Sequence, residues 1–120
     1  MTIRECYDRL GGSYDDIKRR LPTDALIEKF LGKFLSDGSY ELLINSMSGG
    51  DRETAFRGAH ALKGVCANLG FSKLYDSSSK LTEALRNAEI IPDGADALMS
   101  EVSNDYERVI LGIKAYFDEK

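Results

Sequence analysis

The chain has 120 residues, of which 42% are hydrophobic, and its formal net charge is −4. This length suits one buried core, so we expect residues 1–120 to form a single domain. The sequence contains no apolar run long enough to span a membrane, and its acidic balance argues against a nucleic-acid partner. It also lacks an N-terminal apolar stretch like that of a signal peptide, which predicts a cytoplasmic protein. The Met1 start and polar C-terminal end favour a small free-standing monomer.

The spacing of apolar residues predicts an all-helical protein. Residues 1–21 are expected to form one or two short helices broken at Gly11-Gly12. Apolar residues then recur every three or four positions over five stretches, namely 27–34, 40–47, 55–69, 74–88 and 98–116. Pro22 and Pro92, the only prolines, both suit helix starts. Because the breaks are short, we predict an antiparallel up-and-down four-helix bundle, with one or two short N-terminal helices capping one end.

The third apolar stretch carries His60, the only histidine in the chain. Asp51 is a suitable N-cap for its helix, and Gly70 is a suitable left-handed stop. At about 100° per residue, one narrow stripe predicts the core face, and His60 points about 160° away from Leu62 on that stripe. His60 is therefore expected to be exposed near the middle of the helix. The residues of the stripe are Ala55, Leu62, Cys66 and Leu69, and both cysteines, Cys6 and Cys66, are predicted to be reduced and in or near the core.

The helical neighbours of His60 favour phosphate chemistry. Gly64 costs about 1 kcal/mol relative to alanine inside an exposed helix, a cost that is offset where a bulky group must approach closely. Lys63 supplies a cation to balance phosphoryl oxygens, as Arg57 could. A neutral imidazole is a good nucleophile near neutral pH. Neither a glycine-rich phosphate loop nor an acidic metal cluster is apparent in the sequence, so a partner protein is expected to supply the phosphoryl donor and its metal.

The segment His60-Ala61-Leu62-Lys63-Gly64, followed by Asn68-Leu69-Gly70, resembles the motif of histidine-containing phosphotransfer (HPt) domains. The predicted helical layout is similar to that family over essentially the whole chain. The resemblance implies that His60 is the phosphoacceptor, at Nε2, that Lys63 helps to hold the phosphoryl group, and that Gly64 gives access to a receiver domain. Leu62, Leu69 and Gly70 would be structural.

The resemblance also implies the partners. These would be response-regulator receiver domains and a sensor or hybrid histidine kinase, with Mg²⁺ bound by the receiver and no cofactor bound by this chain. The protein would then be a carrier of phosphoryl groups and not an enzyme with kinase machinery. The expected docking surface consists of Phe56, Arg57 and Ala67, although Phe56 is equally compatible with the edge of the core.

A polar residue on the following helix is expected to hold the imidazole through its other ring nitrogen, as is usual in the HPt family. His60 lies about ten residues before the turn at Gly70, so its antiparallel neighbours lie about ten residues after it. Ser79, Thr82 and Glu83 are the candidates, and the sequence does not rank them.

Two other interpretations of the motif are compatible with the sequence. The protein could dock receivers without transferring phosphate, or it could be an interaction bundle in which the motif is accidental. Loss of transfer in His60→Gln would separate the leading hypothesis from the binding-only module. An enzyme with its own small-molecule chemistry is the weakest interpretation, because the sequence contains no recognisable pair of a catalytic nucleophile and a general base.

Overall fold

The computed structural model describes residues 1–120 and is entirely helical, which confirms the predicted fold class. None of its seven helices combines the length and the apolar character that a membrane-spanning helix requires. The helices are α1 (Ile3–Leu10), α2 (Tyr14–Arg20), α3 (Asp24–Phe34), α4 (Ser39–Ser48), α5 (Arg52–Leu69), α6 (Ser72–Leu85) and α7 (Ala95–Asp118).

The main body of the protein is a helical bundle in which helices that follow one another in the chain pack side by side. α5 packs against both α4 and α6, and α6 packs against α7. α3 runs antiparallel to α7, since the Tyr116 hydroxyl donates to Glu28 at 3.1 Å while Phe34 lies 5.9 Å from Tyr106 between ring centroids. α4 begins against the same part of α7, because the ring of Tyr40 stacks on that of Tyr106 and its hydroxyl donates to Ser103 Oγ at 2.9 Å. α3 and α4 therefore share one corner of the bundle.

The buried apolar side chains form one continuous cluster that includes residues from all seven helices. The predicted stripe of α5 is buried in it, which confirms the core face of that helix. Cys6 and Cys66 are both free thiols and both buried, as expected. Burial raises the pKa of the Cys6 thiol to about 11, so it stays protonated at neutral pH.

The N-terminal segment forms two helices, separated at Gly11, which adopts the left-handed conformation with φ of 77°. Residues 11–13 join the α5–α6 turn, because Ser13 N donates to Gly70 O at 2.8 Å and Lys73 N donates to Gly11 O at 3.0 Å. α1 packs along α7, and its Tyr7 hydroxyl donates to Leu69 O at 2.7 Å, so the N-terminal helices lie at the end of the bundle where α5 turns into α6, as predicted. The apolar residues of α1 are spaced by three and four and need a helix surface to cover them.

Candidate functional site

α5, the helix that carries His60, begins and ends where the sequence predicts. The Asp51 side chain accepts a hydrogen bond from Thr54 N at 3.2 Å, and hydrogen bonding to the side chain and the backbone of Thr54 lowers the pKa of the carboxyl group. Gly70 ends the helix in the left-handed conformation, with φ of 72°. His60 falls in the middle of these 18 residues, and it is exposed to solvent. The core therefore leaves the imidazole on the outer face of the bundle.

The two internal glycines of α5 lie on different faces of the helix, about 120° apart. Gly58 is buried, and a Cβ atom there would lie 3.0 Å from both Leu43 N and Leu43 Cα. Gly64 is exposed, and a Cβ atom there would meet no other atom within 4 Å. Gly58 therefore serves the packing of α4 on α5, as its position nearer the core face suggests. Gly64 has no packing role within the chain, and it leaves bare helix one turn from His60.

The predicted docking residues lie along α5 before and after His60, with Phe56 and Arg57 one turn before it and Ala67 two turns after it. The ring centroid of Phe56, one turn earlier, lies 5.9 Å from that of His60. Phe56 is half-buried and packs against the core, so it belongs both to the core edge and to the outer face. The Arg57 guanidinium donates to Thr54 Oγ1 at 3.2 Å. Ala67 is half-buried, and its carbonyl oxygen accepts a hydrogen bond from Arg20 of α2.

Lys63 lies at the boundary between α5 and α6. Its Nζ atom is 5.9 Å from the ring centroid of Tyr75, in a cation–π arrangement, and the side chain is half-buried. The ammonium group forms no ion pair within 4.0 Å of a carboxylate. Lys63 therefore carries a positive charge without an ion-pair partner, one turn from His60 on α5.

The three candidate partners of His60 have different environments on α6. Thr82 is buried, and its hydroxyl donates to Ser78 O at 2.7 Å. Glu83 is exposed and accepts from Arg86 Nε at 3.3 Å and from Arg86 Nη2 at 3.1 Å. Ser79 Oγ is buried and has no hydrogen-bond partner. None of these bonds reaches the imidazole, so the identity of the orienting residue stays a prediction.

Two contacts fix the register between α5 and α6 at this site. Lys63 lies over Tyr75, and the Arg86 guanidinium carbon lies 5.0 Å from the ring centroid of Phe56. His60 falls between Phe56 and Lys63 along α5, so its level on α6 falls between Tyr75 and Arg86. Ser79 and Glu83 occupy that level on the same face of α6, since they follow Tyr75 by one and two helical turns.

Sequence reasoning missed Arg86, Tyr75 and Arg20 as neighbours of the site. The count across the Gly70 turn that selects the window from Ser79 to Glu83 would reach Tyr75 and Arg86 if that window were extended by one helical turn at each end. Arg20 had no such signal, because α2 is distant in sequence and meets α5 only in the folded chain. Together with Tyr75 and Ala67 it lines an open pocket of about 280 Å³ next to the outer face of α5.

The family model of the Hpt domain matches residues 26–110, a segment that begins in α3, ends in α7 and contains every candidate site residue on α5 and α6. No curated protein and no solved structure gives a significant match. Hpt domains are phosphocarrier modules of phosphorelays rather than kinases, and they interact with receiver domains and histidine kinases. This match extends well beyond the motif around His60 and shows that the chain belongs to the Hpt domain family.

Proposed function

We propose that the protein accepts a phosphoryl group on His60 from the phospho-aspartate of one receiver domain and passes it to an aspartate of another. The observation that carries this proposal is the open helix surface at Gly64, one turn from the exposed imidazole. An internal glycine lowers helix stability by about 1 kcal/mol relative to alanine, and no contact within the chain offsets that cost. A partner that approaches α5 closely at this point would explain the glycine.

The transfer needs no general base on this chain. The Nε2 lone pair of neutral His60 attacks phosphorus, the Nε2–P bond forms, and the P–O bond of the acyl phosphate breaks. The aspartate leaves as a carboxylate, and the imidazole ring keeps its proton on Nδ1. Positioning and charge balance then dominate the barrier, and the free cation of Lys63 supplies part of that balance. In this proposal the receiver domain binds Mg²⁺ through its own acidic residues.

Ser79 is the candidate that we favour for holding the ring. Its Oγ atom is buried and unpartnered, whereas the Thr82 hydroxyl and the Glu83 carboxylate each already take part in a hydrogen bond. A buried hydroxyl without a partner is unfavourable by about 1–3 kcal/mol, so a ring N–H directed at Ser79 Oγ would satisfy both groups. Ser79→Ala would remove this hydrogen bond and so slow the transfer by about three- to tenfold, whereas Ser79→Thr would retain most of it.

The direct test is transfer of radiolabelled phosphate from a phosphorylated receiver domain. We expect acid-labile, base-stable label on the wild-type protein and none on His60→Gln. Glu53→Gln is the matched control, since Glu53 is exposed on the first turn of the same helix and is not part of the proposed site. Full labelling of His60→Gln would refute the site. Receiver binding without any label on the wild type would instead establish the binding-only module.

A further inference from the structure

Glu83 and Arg86 form an ion pair beside the proposed phosphoacceptor. The guanidinium reaches the carboxylate with both Nε, at 3.3 Å, and Nη2, at 3.1 Å. The same guanidinium carbon lies 5.0 Å from the centroid of the Phe56 ring, whose centroid is 5.9 Å from that of His60. The pair is therefore held against the one aromatic ring that contacts the imidazole, and Arg86 has two contacts that fix its position.

Glu83 also interacts with the second cation of the site. Hydrogen bonding to Arg86 is the main cause of its lowered pKa, and the positive charge of Lys63 contributes as well. The Glu83 carboxylate therefore interacts electrostatically with both Arg86 and Lys63, the two cations near His60 where α5 and α6 meet. In the unphosphorylated protein, Glu83 partly neutralises them.

We propose that Glu83 and Arg86 set the free energy of phosphorylated His60 through opposing charges: Glu83 destabilises the phosphoryl group on the imidazole, and Arg86 stabilises it. This inference rests on the proposed function and adds two residues that tune the same site without forming or breaking a bond. Transfer from a receiver aspartate places the phosphoryl dianion on Nε2 and returns an aspartate carboxylate, with no proton released. The field of nearby fixed charges therefore acts on the product without any compensating change in protonation.

Two counteracting charges allow the phosphoryl group both to arrive and to leave. If Arg86 and Lys63 acted unopposed, the phosphohistidine would be held strongly and onward transfer would be disfavoured. If Glu83 acted without Arg86, the dianion would meet an unpaired carboxylate. Because Glu83 and Arg86 are exposed, water and salt weaken the interaction of each charge with the phosphoryl group. We therefore expect removal of one charge to change the equilibrium between phosphorylated protein and phosphorylated receiver by about three- to tenfold.

The experiment measures the equilibrium ratio of phosphorylated protein to phosphorylated receiver, starting from a labelled receiver. This ratio depends on the free energies of the separate proteins, so altered docking changes the rate of approach and leaves the ratio unchanged. We expect Glu83→Gln to raise the ratio about three- to tenfold and Arg86→Gln to lower it by a similar factor, while Arg86→Lys stays close to wild type. Both shifts should diminish at 1 M salt, where the screening length falls to about 3 Å.

The Asp105–Arg108 pair of α7 provides matched controls, because it has the same spacing of three residues and an N–O distance of 2.8 Å. Asp105→Asn and Arg108→Gln remove the same charges from a helix that does not pack extensively on α5, and their ratios should equal that of wild type. Shifts of the same sign in Glu83→Gln and Arg86→Gln, or ratios no different from the controls, would overturn the proposal. Absence of label on the wild type would instead refute the proposed function itself.

Discussion

Gly58 and Gly64 lie six residues apart on α5, and they differ in what surrounds them. At Gly58 the backbone of α4 comes so close that a Cβ atom would lie 3.0 Å from Leu43 N. At Gly64 a Cβ atom would meet nothing within 4 Å. The first glycine is explained by a neighbouring helix, and the second by nothing inside the chain. Gly58 is therefore required by the packing of the chain, whereas we assign Gly64 to a partner.

The largest effect is expected from a long side chain at Gly64, the exposed glycine. Gly64→Gln should lower the rate of receiver-dependent labelling of His60 by about 100-fold, because a displacement of about 1 Å at the reacting atoms can have an effect of that size. The free energy of unfolding should not fall, since glutamine is a better helix former than glycine. Initial labelling rates and urea unfolding measure the two effects. Labelling at the wild-type rate would show that no partner approaches at Gly64.

A single methyl group tests the buried glycine. Gly58→Ala should lower the free energy of unfolding by about 1–2 kcal/mol, because the atoms nearest to the new methyl are backbone atoms of Leu43, which cannot rotate away. Labelling per folded molecule should stay within about twofold of wild type. Urea unfolding at neutral pH gives the first value. A stabilised Gly58→Ala protein would contradict the close packing of α4 on α5.

The same methyl group at the exposed glycine sharpens the contrast. Gly64→Ala should raise the free energy of unfolding by about 0.5–1 kcal/mol, since it adds helix propensity and meets no neighbour. The two alanine variants should therefore change stability in opposite directions. The measurement is again urea unfolding, with both variants studied beside the wild type. Destabilisation by Gly64→Ala would mean that the outer face of α5 is packed more closely than its contacts indicate.

The smallest effect is expected at Asp51, the N-cap of α5, which stabilises the whole helix and neither of its faces in particular. The pKa of Asp51 is lowered in the folded protein by its bonds to Thr54, so the ionised carboxylate stabilises the fold above its unfolded pKa of about 4. That contribution is lost as the pH falls through the lower folded pKa. Asp51→Asn keeps a good cap and should make the decline of stability below about pH 4 shallower. Urea unfolding from pH 7 to pH 3 tests this, and an unchanged acid decline would contradict it.

Local sequence was sufficient for α5 because its ends and its faces depend on residues close in the chain. Asp51 and Gly70 act on their own turns of helix, and the exposure of His60 follows from its angle to Leu62. The side of α7 that receives α1 was not predictable in the same way. The apolar faces of α1 and α7 could pack together in several orientations. The one observed depends on the packing of the other helices as well.

The candidate site divides in the same manner. The sequence placed His60, Lys63 and Gly64 on one exposed face, and the count across the Gly70 turn reached Ser79 and Glu83. It did not show that Thr82 is buried, that Ser79 Oγ lacks a partner, or that Arg86 lies over Phe56. These facts depend on the rotation of α6 about its own axis, which a residue count does not contain.

The helical class, the limits of α5 and the outward direction of His60 could all be predicted from the sequence, because each follows from helical periodicity and from capping within a few residues. The charges around the imidazole, the close packing of α4 at Gly58 and the way in which α1 and α2 join the bundle became visible only in the folded chain. The reason is physical: contacts between helices are set by packing of the entire core, to which all seven helices contribute side chains.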